Sequence, residues 1–338
     1  MKGYFDPRQL AHAPARELHN GDWVAYAESP DRALAIKRAV PDWEAPRDFG
    51  MAPLLAVHSQ AYLDFLAGAH AAWLAAGRSG DAIGYAFPIV RRRPLTLDRI
   101  DAALGAYSYD AGTPVAAGTW DAAYWGAQCA LAALDRLATG EDTSAFALCR
   151  PPGHHAGADY MGGYCYLNNA AIAAREAQRR GLGPVAILDI DYHHGNGTQD
   201  IFYRDPDVFF CSIHADPRTD YPFYWGHADE SGEGAGVGTT LNLPLPRGTG
   251  IEDYAPALQS GLAAIVDWGA RLLVVSFGAD TFEGDPISHF KLRQADYAQL
   301  GASIAALDVP VLVIMEGGYA VDALGGNVAA FLRGLNAA

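Results

Sequence analysis

Cysteine is scarce in this sequence and never occurs in closely spaced pairs. The four cysteines are widely separated, without a Cys-X-X-Cys motif, at Cys129, Cys149, Cys165 and Cys211. This spacing argues against a zinc ribbon, a thiol redox motif or a secreted disulfide scaffold. We expect four reduced cysteines in the core.

Long hydrophobic runs are missing as well. No stretch of about 18 uninterrupted apolar residues is available to cross a bilayer, and the N-terminal residues MKGYFDPRQL lack the apolar centre of a signal peptide. These absences predict a cytoplasmic protein with no membrane partner.

Positive charge is in deficit. The 338 residues carry a formal net charge of -15, which disfavours nucleic acids and favours cationic ligands through long-range attraction. Solubility alone explains the same acidic balance equally well. Half of the residues are apolar, so the chain can bury a large core.

Short apolar runs recur through the second half of the chain and alternate with helical patterns. Runs of this kind, without strict polar alternation, are typical of strands buried on both faces. The predicted strands are 145–149, 185–190, 208–213, 272–277 and 309–315, and the predicted helices are 119–139, 169–180, 253–268 and 294–306. The alternation predicts one α/β domain over 1–338, with a mostly parallel sheet and helices on both faces.

The segment 77–118 fits this alternation least well. It is rich in Gly, Pro, Arg and Tyr and is long for a connection, so we interpret it as a functional excursion or an interface element. Its basic cluster, Arg91, Arg92 and Arg93, is more typical of a solvated or interface patch than of a nucleic-acid site. The glycine-rich stretch 232–238 lacks the strand and helix that flank a dinucleotide-binding loop.

Polar or ionisable side chains follow all five predicted strands. In open parallel sheets ligands bind at the carboxyl ends of strands, where the loops converge. The residues that follow the runs are His154 and His155, Asp191 and His193, His214, Asp280, and Tyr319. The sequence therefore predicts a reaction site at this edge of the sheet.

One nitrogen and two carboxylates among these residues form a candidate metal site. Asp189, Asp191 and His193 are spaced by two, which on an extended segment turns the three side chains to one side. Asp191, His193 and Asp280 would leave coordination positions open for water and substrate, as a catalytic site requires. Zn²⁺ suits these ligands, and Fe²⁺ or Co²⁺ is possible. The alternative is a buried hydrogen-bonded cluster without metal.

The tandem histidines His154 and His155 suit general base and acid roles, because imidazole titrates near neutral pH. Tyr319 follows two glycines that could let its hydroxyl swing toward a developing oxyanion. His194 and His214 are interpreted as structural, hydrogen-bonded histidines.

These residues lie in motifs that resemble a known family. The motifs are RPPGHHAG (150–157), GGYCYLNNAAIA (162–173), ILDIDYHHGNGTQDIFY (187–203), SFGAD (276–280) and EGGY (316–319). They resemble those of the histone deacetylase family of the arginase–deacetylase fold, and in particular its bacterial branch, the acetylpolyamine amidohydrolases. The resemblance covers roughly 145–335, with a weaker likeness near residues 15–21.

The resemblance implies an eight-stranded parallel sheet and a set of residue roles. It implies Zn²⁺ on Asp191, His193 and Asp280. His155 would be the general base, His154 an electrostatic partner backed by Asp189, and Tyr319 the group that polarises the scissile carbonyl. Asn196 stands where many family members have an aspartate behind the second histidine, so a less basic His155 is expected.

The resemblance also implies structural K⁺, held largely by backbone oxygens. The first site would use Asp189, Asp191, His193, Ser212 and Ile213. The second would use Phe202, Asp205 and Val208.

Substrate recognition is implied as well. Gly163, Tyr164 and Tyr221 would line a narrow tunnel. Glu17 would meet an ammonium group of an acetylated polyamine at its mouth, and the excursion would build a homodimer that narrows the entrance. Asp101, within the excursion, is a further candidate partner for an ammonium group, and the alternative is an ordinary surface carboxylate. Alternatives are an amidase for acetyl-lysine peptides or other small amides, and a non-catalytic binding module.

Overall fold

The structure is a computed structural model and describes residues 1–88 and 97–337. Eight parallel strands form one central sheet, and a separate antiparallel hairpin lies beside it. The strands are β1 (Lys2–Tyr4), β2 (Arg16–His19), β3 (Asp22–Ala25), β4 (Trp43–Glu44), β5 (Ser144–Ala147), β6 (Val185–Asp189), β7 (Val208–Ala215), β8 (Thr240–Leu245), β9 (Leu272–Phe277) and β10 (Val311–Met315). The order across the sheet is β4-β1-β5-β10-β9-β6-β7-β8, and β2 pairs with β3. The last strand in the chain therefore lies in the middle of the sheet.

Helices cover both faces of the sheet. They are α1 (Pro30–Ala39), α2 (Ala52–Leu55), α3 (Gln60–Ala75), α4 (Ile100–Ala106), α5 (Thr119–Ala138), α6 (Asn169–Arg179), α7 (Asn196–Phe202), α8 (Ile251–Trp268), α9 (Gln294–Ala305) and α10 (Val321–Asn336). Helices α3, α5 and α6 pack on one face, whereas α1, α8, α9 and α10 pack on the other.

Successive residues of a strand contribute to two separate cores, because side chains alternate across a sheet. In β9, Leu272 and Val274 belong to one core, whereas Leu273 and Val275 belong to the other. All six residues of this strand are buried. Burial on both faces explains why the strands read as continuous apolar runs.

Local signals set the helix boundaries. The Asn168 side chain accepts a hydrogen bond from the backbone N–H of Ala171 and begins α6. Helix α8 ends at Gly269, whose φ of 86° lies in the left-handed region that glycine adopts without strain.

The predicted α/β architecture is confirmed, with differences at its edges. All five predicted strands and all four predicted helices are present, and the prediction missed β1, β4 and β8 in the sheet. Strands β1 and β4 have three and two residues, too few to show a pattern. Strand β8 is an edge strand in which four of six residues are only partly buried and the two buried ones, Thr240 and Asn242, are polar, so it lacks a continuous apolar run.

The excursion 77–118 is closed at its base by strand-like pairing. Ala82 and Val115 exchange two backbone hydrogen bonds of 2.9 Å. The described part contains α4 and returns toward the carboxyl edge of the sheet through Tyr109 and Asp110. The cluster Arg91–Arg93 lies outside the described residues.

Two expectations from the composition can be compared with the structure. The four cysteines are free and buried, as predicted. Within 1–88 and 97–337, no helix combines the length and apolar character needed to cross a membrane.

Candidate active site and metal centre

The loops that follow β5, β6, β9 and β10 meet at the carboxyl edge of the sheet, where they form the floor of a cavity. His155, His193 and Tyr319 all line this cavity. Because each comes from a different loop, the site exists only in the folded chain. The convergence predicted from the strand ends is present.

Asp191, His193 and Asp280 place their ligand atoms within 4.8 Å of one another. The Nδ1 atom of His193 lies 3.4 Å from Oδ1 of Asp191 and 3.2 Å from Oδ2 of Asp280. Both carboxylates are fully buried. One imidazole and two carboxylates therefore converge as the sequence predicted.

The local geometry differs from the expected extended segment. Strand β6 ends at Asp189, and the next residues form turns in which Asp189 Oδ1 accepts from the N–H of Asp191 and Asp191 Oδ1 accepts from the N–H of His193. The prediction that all three side chains point to one side of a strand is wrong, since Asp189 turns to His154 instead.

Two glycines make room for the carboxylates. A Cβ atom on Gly278 would lie 2.0 Å from Oδ2 of Asp191, and one on Gly317 would lie 2.4 Å from Oδ2 of Asp280. Neither distance is compatible with a side chain. Gly317 also donates its N–H to Asp191 over 2.8 Å.

The triad fits a divalent cation. Burial and the charge of Asp191 raise the pKa of Asp280 to about 7, because two buried carboxylates cannot both ionise cheaply without a positive partner. A second group, His154, Cys165 and Glu316, also lies within 4.8 Å. It suits a metal less well, because burial raises the pKa of the Cys165 thiol and backbone N–H groups occupy Glu316.

The two histidines of the tandem pair have different partners. His154 Nδ1 lies 3.0 Å from Oδ2 of Asp189, and His155 Nδ1 lies 2.7 Å from Oδ1 of Asn196. The ring centroids are 4.0 Å apart. Since the Asn196 oxygen can only accept, His155 carries its proton on Nδ1 and leaves Nε2 as an acceptor.

Electrostatics separate the pair further. Burial opposes the charged form of His154, but the charges of Asp189 and Asp191 outweigh it and raise its pKa to about 10. Burial, together with the positive charges of His154 and His193, lowers the pKa of His155 well below its ordinary value. One histidine is suited to hold a proton and the other to accept one.

Glu316 and Arg32 hold the catalytic loops, and sequence reasoning assigned them no role. Glu316 Oε2 accepts from the backbone N–H of Gly153 at 2.6 Å and of His154 at 3.2 Å. Arg32 donates over 2.6 Å to the carbonyl oxygens of Glu316 and Gly318, and its guanidinium lies 4.9 Å from the centroid of the Tyr319 ring. These contacts join residues more than 150 positions apart, which no local pattern reveals.

Tyr319 lies at the cavity floor, with its backbone N–H donated to Asp285 over 2.7 Å. The contacts of this loop fix its backbone, and the movement expected of the Tyr319 hydroxyl stays a prediction. Asp285 and Arg32 hold the loop on both sides, and Gly317 is required for close approach to the carboxylates.

The predicted tunnel residues line the cavity. Gly163, Tyr164 and Tyr221 all face it. Asp110 also lines it, accepting the N–H of Gly163 at 2.7 Å and the hydroxyl of Tyr221 at 2.8 Å on one oxygen, Oδ2.

Neither Glu17 nor Asp101 lies on an open rim of the cavity. Glu17 is 2% exposed and accepts the Tyr164 hydroxyl over 2.9 Å. Burial raises the pKa of Glu17 to about 7. Asp101 does not line the cavity of its own chain and pairs with Arg78 at 2.8 Å and Arg99 at 2.6 Å, so its role in substrate binding stays a prediction that concerns the entrance shared with a second subunit.

The residues expected to hold K⁺ form two groups. In the first, Asp189 and Ser212 are register partners in β6 and β7, and the Ser212 hydroxyl bonds His214 over 2.8 Å. Asp191, His193 and Ile213 belong to the same group. In the second, Phe202, Asp205 and Val208 run from the end of α7 to the start of β7. There Arg175 forms an ion pair with the Asp205 carboxylate.

His194 and His214 are structural, as predicted. His194 Nε2 lies 3.0 Å from Oε1 of Gln199, and His214 Nε2 lies 2.8 Å from the Gly226 carbonyl oxygen. The second histidine of the HH pair thus turns away from the metal centre.

Comparison with known proteins places this site in a family. A family model described as the histone deacetylase domain matches residues 26–335. The chain belongs to the histone deacetylase family. The family resemblance drawn from the motifs is therefore confirmed.

Relatives in this family are similar to almost the whole chain. "Acetylpolyamine amidohydrolase 2" of Pseudomonas aeruginosa is 48% identical over 336 residues, covering 98% of this chain and 97% of the relative. "Acetylpolyamine amidohydrolase" of Mycoplana ramosa is 48% identical over 324 residues, covering 94% and 95%. A crystal structure of acetylpolyamine aminohydrolase from Burkholderia pseudomallei matches with a TM-score of 0.95 and 39% identity, covering 100% of this chain and 99% of that one. The family fold predicted from the motifs is confirmed.

Proposed function

We propose that this protein hydrolyses the amide of acetylated polyamines to acetate and the free polyamine. The observation that carries the proposal is the convergence of Asp191, His193 and Asp280 with His155 and Tyr319 on one cavity floor. The names of the relatives support the substrate class.

Zn²⁺ is the proposed metal, held by Asp191, His193 and Asp280, with Fe²⁺ or Co²⁺ as chemically suitable replacements. When bound, a divalent cation supplies Lewis-acid polarisation of the amide carbonyl. The K⁺ sites at the two groups described above remain part of the proposal, supported in the first group by two buried aspartates.

The side chains divide the proton transfers among them. His155, fixed by Asn196 with Nε2 free, accepts the proton of the attacking water. Tyr319 donates its hydroxyl to the carbonyl oxygen as negative charge develops there. The protonated His155 then gives this proton to the departing amine, while His154, held against Asp189, provides positive charge beside it.

Substrate recognition rests on charge and shape. Gly163, Tyr164 and Tyr221 form walls for a methylene chain, and Glu17 lies behind Tyr164 as the partner of a distal ammonium group. Glu17 Oε2 is buried without a hydrogen-bond partner among the described residues, which supports this role. The net charge of -15 favours a cationic substrate and disfavours nucleic acids and anionic membranes.

A homodimer and a cytoplasmic location complete the proposal. Large apolar side chains are exposed on Trp23, Tyr85, Phe223 and Tyr224, as expected of a surface that another subunit covers. Phe223 also lines the cavity. In such a dimer, Asp101 and the other described residues of the excursion 77–118 that do not line their own cavity would contribute to the partner's entrance.

The test is a comparison of kcat/KM values on the Zn²⁺-loaded protein. We expect acetylated putrescine, cadaverine and spermidine to be hydrolysed faster than an acetyl-lysine peptide. Faster turnover of the peptide would support the alternative amidase and overturn the polyamine assignment. Metal binding without turnover of any amide would indicate a binding module.

A further inference from the structure

A single carboxylate oxygen joins the two walls of the cavity. One wall is the turn Gly163–Tyr164, and the other is Tyr221. Oδ2 of Asp110 accepts both the Gly163 N–H, at 2.7 Å, and the Tyr221 hydroxyl, at 2.8 Å. Oδ1 of the same residue accepts from Thr113 at 2.8 Å, so the carboxylate itself is held in place.

The Tyr221 hydroxyl has a second partner, the hydroxyl of Tyr109, at 2.6 Å. The two rings stack with 21° between their planes. Burial raises the pKa of Tyr221 well above its ordinary value, so the hydroxyl retains the proton that it donates. A phenylalanine would offer the same apolar ring to the cavity but neither of these hydrogen bonds.

The position of this ring matters to the reacting groups. The Tyr221 ring meets His155 edge-to-face with centroids 5.1 Å apart, and meets His193 at 6.1 Å. The opposite wall packs closely on the same histidine, because a Cβ atom on Gly163 would lie 2.3 Å from the His155 ring. The distance between the two walls therefore depends on the hydrogen bond that holds Tyr221 to Asp110.

We propose that the Tyr221 hydroxyl determines specificity: by bonding Asp110 it fixes the width of the tunnel and restricts hydrolysis to amides of unbranched amines. The inference rests on the proposed function, because it concerns which amides enter that site. A tunnel of fixed, narrow width accepts a methylene chain and excludes a branch beside the amide. Neither wall can move outward without breaking a hydrogen bond to the Asp110 carboxylate.

The experiment compares two substrates in Tyr221→Phe. They are acetylputrescine and the same acetylated diamine with a methyl group on the carbon that bears the amide nitrogen. We expect the ratio of kcat/KM for the linear over the branched substrate to fall about tenfold, the size expected from one lost hydrogen bond to a charged group. The change should come from a lower KM for the branched substrate, whereas a merely structural defect would lower kcat for both substrates alike and leave the ratio unchanged.

The matched control is Tyr203→Phe, which removes a hydroxyl at the end of helix α7, from a residue that does not line the cavity. In this variant, the ratio of kcat/KM for the linear over the branched substrate should equal that of the wild type. If Tyr221→Phe does not fold, Asp110→Ala gives the same test, because it removes the oxygen that the Gly163 N–H and the Tyr221 hydroxyl share. Its ratio should also fall.

The outcomes separate this inference from the proposed function. A folded Tyr221→Phe protein with the wild-type ratio would overturn the inference alone. A wild-type protein that hydrolyses neither substrate would overturn the proposed function and the inference together.

Discussion

The carboxyl group of Glu17 lies in a setting that disfavours its charge. Its side chain is almost fully buried, one oxygen accepts the Tyr164 hydroxyl, and burial raises its pKa to about 7. A carboxyl with a raised pKa is neutral below that value and charged above it. At the residue scale, the proposed role of Glu17 as the partner of an ammonium group therefore requires a pH above about 7.

The raised pKa of Glu17 predicts that substrate binding depends on pH. We expect KM for acetylputrescine to fall as pH rises from about 6 to about 8, because ionised Glu17 attracts the distal ammonium, whose own pKa is near 10. In Glu17→Gln, KM should be high and independent of pH in this window. A wild-type KM that does not change with pH, or a variant that keeps the wild-type profile, would remove Glu17 from substrate binding.

At the scale of elements, the loop after β10 is built around a close approach. Gly317 lies against both metal-site carboxylates, with no room for a Cβ atom, and Arg32 and Asp285 hold the residues that follow it. The ends of β6, β9 and β10 therefore form one unit in which a small backbone shift moves ligands and Tyr319 together.

Gly317→Ala tests this arrangement. The added methyl group must displace Asp280 or Asp191, so we expect zinc content and kcat to fall at least about tenfold, as is usual when the geometry of metal ligands is disturbed. Zinc per chain and steady-state kinetics measure both effects. Gly68→Ala is the control: a Cβ atom there meets nothing within 4 Å, in helix α3, so activity should be retained and the helix slightly stabilised. A fully loaded, fully active Gly317→Ala protein would contradict the close-approach argument.

Predictability from sequence also differs by element. The buried strands were visible because burial on both faces removes polar residues from the run, and the site was visible because parallel strands deliver their last residues to one edge. Strands β1 and β4 have too few residues to show a period. The roles of Arg32, Asp110 and Glu316 depend on contacts between distant segments, and such contacts leave no local signal. The pairing of Asp189 with His154 was suggested by the family resemblance, since spacing alone grouped Asp189 with the metal ligands.

At the scale of the whole molecule, the metal centre is coupled to stability. Two buried carboxylates lie close together at the meeting point of four loops, and the cation that would neutralise them binds the folded state alone. Zn²⁺ at about 100 times its dissociation constant should contribute about 2.7 kcal/mol.

For a chain of 338 residues, this free energy corresponds to a rise in Tm of about 4 °C over the chelated protein. Thermal unfolding with EDTA and with added Zn²⁺ measures the shift. Asp280→Asn should lose most of it, because one ligand charge is removed. An equal shift in that variant would show that Zn²⁺ acts somewhere else.

The position of β10 has a consequence for the order of assembly. Strand β10, residues 311–315, fills the gap between β5 and β9, so the groups β4-β1-β5 and β9-β6-β7-β8 become one sheet only when it is inserted. During synthesis, before residues 311–315 have left the ribosome, β5 and β9 each have one unpaired edge where β10 will later bind. Open edges invite pairing with other chains. The moment of greatest aggregation hazard therefore comes late, just before β10 closes the sheet and the loop that follows it brings Tyr319 to the site.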